Sequence, residues 1–167
     1  MLQKKRSLLK SLPMKKILPL FLLLVSFGST AFSQMGSAKQ VNWSFTSKKI
    51  GDKKYEVRIT ATINGNYHMY AINAGVDLPA PTKITFAQNP LLNIQGKTIE
   101  QGKKITKFES IWDGKVNYFE KTVTFIQLVN TKTAAKTNLN GKVEFMVCND
   151  QACLPPSEVP FKIAIGG

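Results

Sequence analysis

The stretch Tyr55-Glu-Val-Arg-Ile-Thr-Ala-Thr-Ile63 decides the fold class. Tyr55, Val57, Ile59, Ala61 and Ile63 fall on one side of an extended chain, and Glu56, Arg58, Thr60 and Thr62 on the other. Successive side chains of a strand face opposite ways, so this alternation marks a β-strand with one buried and one wet face. The same period returns further along the chain. Val123, Phe125 and Gln127 alternate with Thr122, Thr124 and Ile126. Val143, Phe145 and Val147 alternate with Glu144 and Met146, and Phe161, Ile163 and Ile165 with Lys162 and Ala164. Shorter strand candidates are 41–46, 67–70, 83–86, 91–94 and 104–108. Turn signals separate these runs, among them Gly51-Asp52, Asn64-Gly65-Asn66, Pro79-Ala80-Pro81, Asn89-Pro90, Asp113-Gly114 and Asn140-Gly141. No sustained helical period occurs. Roughly eight or nine short strands predict an all-β domain, an immunoglobulin-like β-sandwich in the first instance and a small β-barrel as the alternative.

Residues 1–33 stand apart and read as an export signal. Lys15 and Lys16 precede an apolar run from Ile17 to Phe27, and Ala31-Phe32-Ser33 fits the small-x-small cleavage rule. Met14 is the expected true start. The apolar run is too short to cross a bilayer comfortably, so residues 34–167 are expected in the periplasm as one domain, free of the membrane after cleavage. The signal carries six of the 23 Lys and Arg and none of the ten acids, so its removal lowers the formal charge from +13 to +7. The remaining lysines are scattered along strand faces and turns, without the aromatic-basic pattern of a nucleic-acid site, and no nucleic-acid partner is expected.

The chain has two cysteines, in Val147-Cys148-Asn-Asp-Gln-Ala-Cys153-Leu-Pro-Pro156. A strand ends at Cys148, four small or polar residues follow, and Pro155 and Pro156 hold the chain extended after Cys153. The cysteines thus face each other across a tight loop, at a separation a disulfide can span. The residues leave three readings open: redox exchange, a local structural staple, and metal binding. Against a staple, closing six residues stabilises a fold by only about 2 kcal/mol, and a domain of this length buries a core without one. The polar loop leaves a sulfur open to a partner, as exchange requires. Against metal, there is one histidine, and the spacing fits no zinc pattern.

The stretch Gly141–Pro156 resembles the active-site hairpin of the N-terminal periplasmic domain of the thiol:disulfide interchange protein DsbD, which carries Pro-Pro just after its second cysteine. Asn64-Gly65-Asn66-Tyr67-His68-Met69-Tyr70 and Ile111-Trp112-Asp113-Gly114-Lys115-Val116-Asn117-Tyr118 resemble two further segments of that family, in the same order. The resemblance implies an immunoglobulin-like fold. It also implies a thiol–disulfide oxidoreductase that relays reducing equivalents between thioredoxin-like periplasmic proteins, for disulfide isomerisation or cytochrome c maturation, with no cofactor beyond its own sulfurs. By the same resemblance Cys148 and Cys153 are the exchanging pair, with Cys153 at the surface. His68 and Tyr70 flank the sulfurs, and Trp112, or Phe108 in its place, supplies a cap-loop aromatic. Asp150, in the loop, is a candidate for tuning thiol acidity or for a plain turn role.

Three departures stand out. The loop between the cysteines is one residue shorter than in the family's best-known member, and His68 replaces the first aromatic of a Tyr-x-Tyr pair. As the chain stands it carries neither a transmembrane region nor a thioredoxin-like domain, so a separate membrane electron donor is expected. The alternative function is a non-catalytic sandwich that binds another protein and uses the disulfide to pin one loop.

Overall fold

The computed structural model describes residues 36–77 and 80–167; the stretch expected to be an export signal, with its expected start at Met14, lies outside them. Among the described residues nine strands follow in order: β1 Val41–Gly51, β2 Lys54–Ile63, β3 His68–Tyr70, β4 Lys83–Phe86, β5 Leu92–Glu109, β6 Gly114–Thr131, β7 Thr137–Phe145, β8 Val147–Cys148 and β9 Ser157–Ile165. Among the described residues helical structure is confined to two short 3₁₀ turns, Ser37–Gln40 and Ser110–Trp112. One sheet runs β1-β2-β6-β3-β8 with β5 also paired to β6, and a second runs β4-β7-β9.

The alternation read from the sequence is what joins the two sheets. Val57 and Ile59 of β2 and Phe125 of β6 meet Val143 and Phe145 of β7 and Phe161 of β9 in one buried cluster. Trp43 bridges the faces, its ring edge-on to Phe145 at 5.1 Å and stacked near Phe125 at 6.4 Å. The result is the immunoglobulin-like sandwich, with two sheets in place of a closed barrel.

Three departures from simple alternation position the far end of the molecule. First, the run read as one strand through Val147 breaks at Met146. Phe145 ends β7 in the second sheet, and Val147–Cys148 pair with β3 in the first. Second, the separate candidates 91–94 and 104–108 are parts of one long strand, β5. Register shifts at Gln95/Ile99 and Gly102/Lys104 interrupt its pattern, and such bulges bend a strand and deepen its twist. Third, β6 pairs with β2 as far as Thr122 and with β3 from Glu120. Lys121 between them takes a left-handed φ of 63°. The β5–β6 hairpin thereby leaves the body of the sheet and runs on beside β3 and β8.

Candidate functional site

The cysteine hairpin is built by short-range bonds. Asn149 Oδ1 accepts from the backbone N–H groups of Gln151 and Ala152, both at 2.9 Å. The Asn149 N–H donates to the Ala152 carbonyl at 3.0 Å, and the Leu154 N–H to the Val147 carbonyl at 2.9 Å. A short polar side chain that closes its own turn is the usual reason for asparagine here, and that role falls to Asn149 and not to Asp150. These bonds leave Cys148 and Cys153 opposite each other at a non-hydrogen-bonded position, where antiparallel strands approach most closely. Their Cα atoms lie 4.0 Å apart, and the sulfurs are bonded at 2.01 Å. The two ends of the bond differ. Cys148 is 2% exposed, within a cluster that includes Tyr70, Tyr118 and Met146, whereas Cys153 is exposed.

A shallow pocket of about 300 Å³ lies beside the disulfide and brings together five of the seven residues expected there: Cys148, Cys153, His68, Tyr70 and Asp150. β3 supplies two of them, His68 standing opposite Cys148 in register. The tip of the β5–β6 hairpin supplies a further wall of Lys107, Glu109, Ser110 and Ile111. The two expected cap aromatics are not among the residues that line this pocket. Trp112 turns inward, donates from Nε1 to the Tyr70 hydroxyl at 2.9 Å and packs on the cluster that holds Cys148. Phe108, 57% exposed, is outside the pocket lining. Ile111, the apolar member of this wall, is 71% exposed.

The sequence profile described as "Thiol:disulfide interchange protein DsbD, N-terminal" matches residues 34–164. The chain belongs to the DsbD N-terminal family. Its fold is similar to that of the Neisseria meningitidis DsbD N-terminal domain in the reduced form, with a TM-score of 0.52 and 16% identity over 83% of this chain and 96% of that one. The N-terminal periplasmic domain of ScsB from Proteus mirabilis matches at a TM-score of 0.47 and 13% identity, over 72% of this chain and 44% of its own. A complex of the DsbD and PilB N-terminal domains from Neisseria meningitidis matches at 0.47 and 15%, over 79% and 88%. No curated protein matches the chain by sequence. At these identities the structural likeness concerns the fold.

His68 stands among the aromatic rings of the site. Its ring lies 4.4 Å from that of Tyr118 and 5.4 Å, edge-on, from that of Tyr70. Its Nε2 is buried without a hydrogen-bond partner. Burial holds the imidazole below its ordinary pKa of 6.5. Glu109, Glu120 and Asp150 oppose that shift, and Lys107 adds to it. Burial also raises the phenols of Tyr70 and Tyr118, against the Trp112 hydrogen bond in the first case and Lys107 in the second. Lys107 pairs with Glu109 at 3.4 Å, an exposed contact that orders the rim more than it stabilises it. Lys107, Glu109, Ser110 and Ile111 were not expected at this site. Glu109 and the half-buried His68 belong to distant stretches, and the β3–β6 and β5–β6 pairings together bring them to one place. Among the described residues no three His, Cys, Asp or Glu side chains converge as a metal site.

Proposed function

We propose that the protein is an exported thiol–disulfide exchange domain that passes two electrons at a time between thioredoxin-like proteins through Cys148 and Cys153. One observation carries this reading. In a member of the DsbD N-terminal family, the disulfide has one open and one shielded sulfur at the mouth of a pocket. A partner thiolate attacks the exposed Cys153 sulfur, and Cys148 leaves as a thiolate that takes up a proton. The partner's second thiol then attacks the mixed disulfide and releases Cys153. The partner ends as a disulfide, and the two electrons and two protons reside on the Cys148–Cys153 dithiol. The reverse sequence passes them on.

In this reading a separate membrane protein is the donor, and periplasmic isomerases or cytochrome c maturation thioredoxins are the acceptors. His68 exchanges the proton with Cys148; its register opposite Cys148 and its unbonded Nε2 support that role. Tyr70, braced by Trp112, keeps the pocket wall in place, and Asp150 tunes the rim. Cys148→Ser removes the thiol of this chain that would resolve a mixed disulfide at Cys153, and replacing the second active-site cysteine of the partner by serine removes the other resolving thiol. Incubated with such a single-cysteine thioredoxin-like protein, its remaining thiol loaded as a mixed disulfide with thionitrobenzoate, the variant is expected to displace thionitrobenzoate and accumulate a covalent adduct that reductant dissolves. No adduct with any such protein would refute the relay.

A further inference from the structure

The Cys148 arm of the hairpin is held by β3, with His68 opposite Cys148 and Met69 opposite Val147. The Cys153 arm has no such strand. Among the described residues, its ties between Cys153 and the start of β9 at Ser157 are the Leu154 N–H bond to Val147, the packing of the Leu154 side chain on the core, and one further contact. That contact is Ser37, fully buried and distant in sequence. Its hydroxyl accepts the Val147 N–H at 3.0 Å and donates to the Pro155 carbonyl at 2.9 Å. Its own N–H donates to the same carbonyl at 3.1 Å. Val147 directly precedes Cys148, and Pro155 lies two residues beyond Cys153. One serine therefore joins both arms. The Val147 N–H points toward Leu154, and a regular hairpin would send it to the Leu154 carbonyl; here the serine takes it. The segment is fitted closely, since a Cβ on Gly36 would lie 2.7 Å from the Pro155 oxygen and 2.8 Å from Ser157 Oγ.

We infer that Ser37 is a positioning residue for thiol–disulfide exchange, holding the Cys153 arm beside Cys148 while the disulfide is open. The inference rests on the relay reading above. In the oxidised protein the covalent bond keeps the arms together, and the clasp changes little. In the dithiol the clasp, with the Leu154 ties, keeps one sulfur within reach of the other. Holding two reacting groups in place raises the effective concentration of each at the other. The equilibrium constant for closing the disulfide measures that concentration.

The test is an equilibrium of the full mature protein with glutathione, in which two glutathione thiols become one glutathione disulfide as the Cys148–Cys153 bond takes up two electrons and two protons. Ser37→Ala is expected to lower the constant for disulfide formation about tenfold, a rise of about 30 mV for a two-electron couple. Ser157→Ala removes only the bond from the Ala38 N–H (3.1 Å) and is expected to leave the constant within about twofold, well under the tenfold step that 1.4 kcal/mol represents. An unchanged constant in Ser37→Ala, even with a lowered melting temperature, would reduce Ser37 to a structural role and overturn the inference. A wild-type protein that stays oxidised at every glutathione ratio would sink the relay reading instead. If Ser37→Ala does not fold, amide exchange in the wild type decides. The inference predicts that the Val147 N–H stays protected after reduction, and its loss of protection would contradict it.

Discussion

The β2–β6 ladder and the cysteine hairpin are both antiparallel pairings, and they are held in opposite ways. β2 and β6 stay in register from Lys54 opposite Asn130 to Thr62 opposite Thr122, with Val57, Ile59, Val123 and Phe125 fully buried against the second sheet. β8 has two residues and β3 three. Around the disulfide, single side-chain contacts replace the ladder: Asn149 closes the turn, Ser37 joins the arms, and Trp112 braces Tyr70. The body therefore carries most of the stability, and in the proposed relay it is the tip that breaks and re-forms its one covalent bond. Regions with short ladders and few buried apolar contacts open most easily, and functional segments are drawn from them.

That contrast is open to attack at four points, from the largest effect to the smallest. Phe125→Ala, in the middle of the core, should cost about 3–5 kcal/mol of unfolding free energy in a denaturant titration and leave the redox equilibrium of the folded protein unmoved. A shift in that equilibrium would show that tip and body are not separable. Replacing both cysteines by serine should cost no more than about 2 kcal/mol, because the closed loop is so short, while abolishing exchange. A much larger loss would make the disulfide a staple. Lys121→Gly should raise stability by up to about 1 kcal/mol, since a left-handed residue with a side chain is strained by about 1–2 kcal/mol and glycine returns part of that as chain entropy.

The smallest effect is that of pH. The folded state holds His68 below its ordinary value of 6.5, so near that value the unfolded chain binds the extra proton more readily. Stability is therefore full above 6.5 and falls as the pH drops through 6.5 toward the lowered folded value. His68→Phe should flatten that part of the stability profile, and thermal melts from neutral to mildly acid pH would show whether it does.

The body was legible in the sequence because its pattern is local. Tyr55 to Ile63 shows which face is buried without reference to any other strand, and 83–86 matches β4 in full. Legibility failed where a strand bends. Val143, Phe145 and Val147 keep their period of two across Met146, so side-chain alternation hides the change of sheet. In β5 the register shifts on either side of Ile99 break the alternation, so one strand reads as two. At the tip, the cysteine pair, His68, Tyr70 and Asp150 were within reach of the sequence and of the family resemblance. Ser37, Lys107, Glu109 and Ile111 were not. A lone serine outside any strand and an exposed isoleucine in a turn have no local signature, and long-range pairing alone gives them a place. Trp112 was expected at the cap through the family resemblance. Its indole N–H donates to the Tyr70 hydroxyl, a contact between stretches far apart in sequence that no local pattern announces, and Ile111 is the neighbouring residue that lines the pocket.

The central claim is that the Cys148–Cys153 bond opens and closes while the sandwich stays folded. A redox titration of the wild-type protein, with thiol labelling to count open cysteines and circular dichroism to follow the β-sheet, tests it directly. The account predicts a midpoint above about −300 mV, the level below which structural disulfides lie, with the β signal unchanged through the transition. A bond that resists reduction until the sandwich unfolds would contradict it.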